Sequence, residues 1–457
     1  MNILDEIIKH KEQEIAQSKI KKPLSSFIDE LKPSNRDFKK AISQKKISLI
    51  AELKKASPSS GIISKEFDIN KIIKIYNKYA NAISVLTDEH FFSGSLENLK
   101  KARTLSKLPL LRKDFIIDEY QIYESRGAGA DAILLIASIL TIDQINNFIK
   151  IAKKYKMNAL VEIHNINELK KIFKTEVEII GINNRNLENF KTDLDITLGL
   201  AKYIPTNKVA VSESGISDYD DIINFDKIIN AILVGTSLLK SGNIERAIKN
   251  LLFPQVKICG IKKLEHAKIA AKAGADFLGF IFVEGRKRYV DPKEAKIIIQ
   301  KIRKNFPAIK IVGVFQNENL NKMNEIAFSL NLDFTQLHGN ENSNYCQNVI
   351  RPVIKAINVE NSKSQIIKTL NKYDKNIASF LLDAFDGGRG KTFDWNLAKD
   401  LSKNYPIILS GGLNLKNVER AIKTVQPHVV DVSSGVEDKN GEKDGEKIKE
   451  FIKIVKR

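Results

Sequence analysis

Cysteine is nearly absent: Cys259 and Cys346 are the only two in 457 residues. Two isolated thiols build neither a disulfide framework nor a zinc constellation. Long apolar runs are missing as well. The longest, Ala132-Ile133-Leu134-Leu135-Ile136-Ala137, falls far short of a bilayer span. Met1 to Glu14 is dotted with charge and has no signal-peptide h-region, so a soluble, cytoplasmic chain is expected. The sequence offers no site for a metal or an organic cofactor, and none is expected.

The charge is one-sided but not concentrated. The formal net charge is +19, yet Lys is spread along nearly every helical pattern, with no Lys/Arg arm. RNP-like aromatics and a helix-turn-helix signature are also missing. This is the pattern of a solvated basic surface that draws in anionic small molecules, with no nucleic-acid and no membrane partner. The rival, a basic RNA-binding protein, would bind RNA with steep salt dependence and turn nothing over.

At 457 residues, 43% hydrophobic and 28% charged, the chain is an ordinary globular protein too long for one core. Phe253-Pro254-Gln255-Val256 divides it, since Pro254 suits a chain leaving one helix for a new strand. Before the division, residues 1 to about 45 read as helical. Strand candidates follow at Ser48–Lys54, Ala82–Thr87, Pro109–Lys113, Ala132–Ala137, Ala159–Ile163, Ile179–Asn183, Val209–Glu213 and Ala231–Gly235. Helical patterns such as Asp143–Lys156 lie between them. Eight strand-then-helix units predict an α/β fold, a (β/α)8 TIM barrel with an N-terminal helical extension. An open doubly wound sheet is the runner-up, but no G-x-G-x-x-G turn follows the first strand. After the division the alternation restarts: Val256–Cys259, Phe277–Val283, Ile311–Phe315, Phe334–Leu337, Val353–Ile357, Ser379–Asp383, Ile407–Ser410 and Val429–Val432. Two tandem barrels are expected, 1–252 and 255–457.

The strand ends carry the chemistry, because barrel sites form at the C-terminal ends of strands. In the first half these ends supply Glu52, Lys54, Lys113, Glu162, Asn183, Arg185 and Glu213. Ser214-Gly215 and Gly235-Thr236 follow the seventh and eighth strands, where small residues let backbone N–H groups approach a phosphate. Barrel-interior ion pairs that only satisfy one another are the bland alternative.

Four stretches of this half, Ile50-Ala51-Glu52-Leu53-Lys54-Lys55-Ala56-Ser57-Pro58-Ser59, Ala82-Ile83-Ser84-Val85-Leu86-Thr87-Asp88, Leu111-Arg112-Lys113-Asp114-Phe115-Ile116 and Gly181-Ile182-Asn183-Asn184-Arg185-Asn186-Leu187, resemble indole-3-glycerol phosphate synthase. The resemblance covers residues 1–252. It implies closure of an indole ring with loss of carbon dioxide and water. Lys113 would be the general acid on the substrate ketone, and Glu162 would assist dehydration. Lys54 would hold the anthranilate carboxylate, and Glu52 and Asn183 would orient substrate and partner groups. Ser57, Arg185, Glu213, Ser214, Gly215, Gly235 and Thr236 would line the ligand and phosphate region. Clustered lysines are expected to depress one another's pKa, favouring proton donation near neutral pH.

In the second half Cys259 closes the first strand, Arg288 follows the second, His338 follows the fourth and Asp383 closes the sixth. Gly411-Gly412 and Ser433-Ser434-Gly435 repeat the phosphate pattern after strands seven and eight. Cys259 and Asp383 read as an acid/base pair, and a Cys259–His338 nucleophilic pair is the competing idea. Cys346 reads as a buried small hydrophobe. The stretches Val256-Lys257-Ile258-Cys259-Gly260-Ile261, Gln336-Leu337-His338-Gly339, Gly387-Gly388-Arg389-Gly390-Lys391-Thr392-Phe393-Asp394-Trp395 and Asp431-Val432-Ser433-Ser434-Gly435-Val436-Glu437 resemble phosphoribosylanthranilate isomerase over 255–457. By that likeness Asp383 protonates the ribose ring oxygen, and the Cys259 thiolate takes the proton from the sugar's second carbon. Arg288 would grip the anthranilate carboxylate, and the glycine and serine loops, with His338 nearby, would hold the rest. Where that family often has Ser-Pro before its arginine, this chain has Arg286-Lys287.

The isomerase product is the synthase substrate, so the expectation is a bifunctional enzyme of tryptophan biosynthesis acting on phosphorylated anthranilates, as a monomer. One active barrel beside a scaffold is an alternative. A pair of sugar-phosphate isomerases is another, but it would want paired aspartates in place of Cys259 and Asp383. Histidines outside the two mouths, such as His10, read as surface groups.

Overall fold

The computed structural model describes residues 3–57, 61–63, 67–186, 191–223, 225, 228–359, 363–373, 377–384, 392–402 and 404–457. The side chain of Ser57 lies outside the described residues, as do Pro58, Ser59, Leu187 and the run Gly387-Gly388-Arg389-Gly390-Lys391. Two compact units result, Met1–Ile248 and Lys249–Arg457.

In the first unit eight parallel strands close into a barrel: β1 (Ser48–Leu53), β2 (Ala82–Leu86), β3 (Leu110–Lys113), β4 (Ala132–Ile136), β5 (Asn158–Ile163), β6 (Ile179–Asn183), β7 (Val209–Glu213) and β8 (Ala231–Val234). Neighbours in sequence are neighbours in the sheet, and β1 completes the ring against β8 with Ser48 opposite Ala231. Side chains alternate between the barrel interior and the helical layer. Ile50, Leu111, Leu134, Leu160, Ile179, Val211 and Leu233 therefore form an apolar interior, with Phe38 and Ile42 packed against it. One step of two residues further along the same faces come Glu52, Lys113, Glu162 and Glu213, at the ends of their strands. The barrel is thus apolar through most of its depth and ionic at one rim.

The N-terminal extension is helical but interrupted. Helix α1 (Ile3–Lys21) stops short of Pro23, whose ring cannot continue it. Two single 3-10 turns and the short helix Phe38–Ala41, capped by the Asp37 carboxylate, follow.

The second unit repeats the closure with β9 (Gln255–Cys259), β10 (Phe277–Ile281), β11 (Lys310–Phe315), β12 (Phe334–Leu337), β13 (Val353–Asn358), β14 (Ile377–Asp383), β15 (Ile407–Leu409) and β16 (Val429–Val432). Its interior is filled by Phe277, Val312, Ile354, Leu381, Ile408 and Val429, with Phe334 against them. A larger apolar shell joins the outer strand faces to the helices. Among the described residues no helix is long and apolar enough to cross a membrane.

Candidate active sites

A cavity of about 370 Å³ opens at the ionic rim of the first barrel. Glu52, Lys54, Lys113, Glu162, Asn183, Arg185, Glu213, Ser214, Gly215, Gly235 and Thr236 all line it, so the strand-end candidates of this half other than Ser57 share one chamber. Ile3, Leu4 and Ile7 of α1, with Phe92 and Phe115, supply an apolar wall.

Lys113 is the centre of the charge pattern. Its Nζ lies 2.7 Å from Glu162 Oε2 and 2.7 Å from Glu213 Oε2. Burial alone would lower its pKa, but the charges of Glu162, Glu213 and Glu52 overcome that and hold it above the ordinary lysine range. The expectation of mutually depressed lysines is therefore wrong here. Lys113 is fenced by carboxylates, and the only ion pair of Lys54 described is with Glu52, at 2.5 Å.

The two carboxylates that share Lys113 diverge. Burial pushes Glu162 up, yet Lys113, His164 and a hydrogen bond from Asn183 bring it below its usual value. Glu213 is raised, first by burial and then, against the pull of Lys113, by the charges of Glu162 and Glu52. Its Oε1 is buried with no hydrogen-bond partner among the described residues. Gly181 on β6 makes room for it: a Cβ there would overlap Glu213 Oε1. Gly235 does the same for Glu52 Oε2.

The loop after β7 is held open by Asn184, which the sequence reading passed over. Its amide donates to Ser212 Oγ, Glu213 O and Ser214 O at 3.0–3.1 Å. Ser214 and Gly215 both take left-handed backbone angles, φ 67° and 82°. In the second barrel Gly411 and Gly412 do likewise, φ 78° and 67°, with Asn414 and Asn417 donating to Gly412 O.

Two further residues of the first barrel were missed. His164 sits two residues past Glu162, with Nε2 3.5 Å from Glu162 Oε1 and Nδ1 3.3 Å from Glu168. Burial opposes its protonation, while Glu168 and Glu162 raise its pKa on balance. Lys11 of α1 is fully buried and meets Glu14, Asp88 and Asp114 at 2.8–3.0 Å. It ties the extension to the ends of β2 and β3. His10 beside it is half-buried, its ring stacked on that of the exposed His90 at 4.3 Å.

In the second barrel Cys259 and Asp383 end β9 and β14 and are buried. His338 Nε2 faces Asp383 Oδ2 at 3.4 Å. The Gln336 side-chain amide lies 3.1 Å from His338 Nδ1, on the other side of the ring. Both ring nitrogens of His338 thus face partners other than Cys259, which disfavours the Cys259–His338 nucleophilic pair. Arg288 is gripped by Glu437 through two hydrogen bonds of 2.6 and 2.9 Å. Lys443 bonds the same carboxylate at 2.7 Å and also donates to Ser433 O. Burial raises the Cys259 thiol, with Lys257 pulling the other way. Cys346 is buried, as expected for a small hydrophobe.

The family model for indole-3-glycerol phosphate synthase matches residues 4–251, and that for N-(5'-phosphoribosyl)anthranilate isomerase matches residues 256–454. The tryptophan biosynthesis protein TrpCF of Buchnera aphidicola from Acyrthosiphon pisum is 38% identical over 99% of this chain and 98% of its own length. The chain belongs to the TrpCF family. The Vibrio cholerae TrpCF is 38% identical over 99% of this chain and 96% of its own, and the Helicobacter pylori protein 37% over 100% and 99%. A solved phosphoribosylanthranilate isomerase from Thermotoga maritima is 39% identical, covering 44% of this chain and 98% of its own, with a TM-score of 0.41. Like other TrpCF proteins, this one is a bifunctional enzyme of tryptophan biosynthesis, a decarboxylating lyase in its first barrel and an isomerase in its second.

Proposed function

We propose that the two activities divide at residues 252–255 and that the strand-end residues carry them as follows. In the isomerase barrel Asp383 gives its proton to the ribose ring oxygen, the ring carbon–oxygen bond breaks, and the nitrogen lone pair forms an iminium. The Cys259 thiolate then takes the proton from the sugar's second carbon, and the electron pair left behind neutralises the iminium to an enolamine, which settles as the ketone. The proximity of His338 to Asp383 suits return of the proton to that carboxylate. Arg288, oriented by Glu437, receives the anthranilate carboxylate.

In the synthase barrel Lys113 protonates the ketone oxygen as the aryl carbon attacks. Carbon dioxide leaves to restore the aromatic ring, and Glu162 moves the proton that dehydration requires. The observation that carries this reading is the Lys113 ammonium, 2.7 Å from Glu162 and from Glu213 in a chamber with an apolar wall. A lysine kept protonated by its neighbours begins the cycle in the state a proton donor needs. Lys54 takes the anthranilate carboxylate, with Glu52 and Asn183 orienting it and Arg185 and Ser57 on the ligand side. Ser214-Gly215 and Gly235-Thr236, and in the other barrel Gly411-Gly412 and Ser433-Ser434-Gly435, cradle the phosphate with backbone N–H groups. The substrates are small phosphorylated anthranilates, met in the cytoplasm by a monomer that needs no nucleic acid.

The test is a coupled assay from phosphoribosylanthranilate, following loss of its fluorescence and gain of indoleglycerol phosphate absorbance. Cys259→Ala is expected to stop the first step and Lys113→Ala to stall at the intermediate, each by about 10²-fold or more. Undiminished turnover in either variant would remove that residue from the reaction.

A further inference from the structure

Lys257 is a lysine where a barrel interior has no evident use for one. It lies two residues before Cys259 on β9, so the same strand alternation that points the sulfur inward points the ammonium inward beneath it. The side chain is wholly buried. Its Nζ is 3.1 Å from Asp431 Oδ1, and Asp431 is its register partner on neighbouring β16. The ammonium and the Cys259 sulfur line the same patch of the barrel wall, and the charge of Lys257 favours the thiolate. Gly279, the register partner of Cys259 on β10, leaves the space in which they meet. A Cβ at Gly279 would lie 2.8 Å from Cys259 Sγ and 3.2 Å from Lys257 Nζ.

An ion pair that only satisfied itself would have no need of the sulfur. A buried thiol that must act as a base needs a neighbouring cation, because burial favours the neutral S–H. The charged groups around Cys259 are Lys257 on its own strand, Asp431 on β16, Lys443 beyond β16 and Arg288 beyond β10. Lys443 and Arg288 are both committed to Glu437. Lys257 is the cation that shares the space beside Gly279 with the sulfur.

We propose that Lys257 is a positioning residue of the isomerase, the cation that holds Cys259 as a thiolate, and that Asp431 limits its strength by competing for the same ammonium. This rests on the assignment of Cys259 as the base. Lys257 keeps its proton throughout. Before the step its charge offsets the S−; when the sulfur takes the carbon-bound proton and becomes S–H, Asp431 remains to balance the ammonium. The two partners therefore act on the sulfur with opposite sign.

The experiment measures, by mass spectrometry of the Cys259 peptide, the rate of alkylation by iodoacetamide as a function of pH in the full chain. Lys257→Met is expected to move the midpoint up by about one unit, a roughly tenfold loss of alkylation rate near neutrality, with the acid limb of the isomerase kcat profile moving the same way. Asp431→Asn is expected to move the midpoint down. A folded Lys257→Met protein with an unmoved midpoint overturns the proposal. Should that variant not fold, Asp431→Asn decides, since a midpoint unchanged or raised overturns it equally. Cys259→Ala keeps the two readings apart: if it still isomerises, the base assignment fails, while the midpoints of the other variants still report whether Lys257 holds the thiolate.

Discussion

Glu437 holds Arg288 by both of its carboxylate oxygens, Oε1 to Nε at 2.6 Å and Oε2 to Nη2 at 2.9 Å. A guanidinium fixed on one edge presents its other edge in a defined direction, which is what recognition of a planar carboxylate requires. Glu437→Gln should loosen that edge and leave Lys443 with a weaker partner. The expected outcome is a KM for phosphoribosylanthranilate raised about tenfold, from a loss of roughly 1.4 kcal/mol of binding, with kcat changed much less. Steady-state kinetics of the isomerase step alone would read it, and an unchanged KM would detach Glu437 from substrate binding.

Glu213 gives a pH-dependent stability with a definite sign. Its pKa rises from 4.5 unfolded to about 7 folded, so the folded state binds the proton more tightly. Folding is then disfavoured increasingly as pH rises through that interval. Glu213→Gln imitates the protonated form, so it should melt higher than the parent at pH about 8 and much like it at pH about 4, while indole formation falls. Thermal melts at the two pH values would check this. A gap that does not widen with pH would mean the carboxyl is ionised at no cost.

Lys11→Met should release α1. The substitution leaves the buried Asp88 without its ammonium and Asp114 with Arg112 as its remaining charged partner, at a cost of about 3 kcal/mol. Because Ile3, Leu4 and Ile7 form part of the cavity wall, KM for the indole-forming step should rise with it. Hydrogen exchange over Ile3–Lys21 should quicken more than exchange in the barrel strands. Uniform exchange would mean that apolar packing alone holds the helix.

His164→Gln removes a positive neighbour that helps keep Glu162 low. The acid limb of the kcat profile for indole formation should therefore move up by about half a unit. A profile that does not move would show His164 to be neutral throughout the working range.

Much of this was legible in the sequence because strand alternation is strict. Once Ile50 is assigned inward, Glu52 must follow, and the same step takes Leu111 to Lys113 and Leu160 to Glu162. What was not legible depends on which strands become neighbours. The pKa of Lys113 is decided by Glu162 and Glu213, which closure of the sheet brings to it. Lys11 belongs to a helix pattern that reads as a solvated stripe, and only docking reveals three carboxylates around it. The stacking of His10 on His90 was hidden for the same reason, since His90 lies beyond β2. Lys257 was within reach of the alternation argument, being two residues from Cys259, but a lysine beside a catalytic-looking cysteine drew no notice of its own. Glu437 and Lys443 lie beyond the last strand, where no periodicity announces a role.

Ring closure has one more consequence. In each barrel the first strand pairs with the last, Ser48 with Ala231 and Gln255 with Val429, so entry and exit of the chain lie at a single seam. Neither sheet ends in unpaired backbone that would template association with another molecule. A gene-level rearrangement that joined the two sides of that seam and opened the chain at a loop on the opposite rim would leave every ladder intact, and each barrel is in that sense a portable cassette.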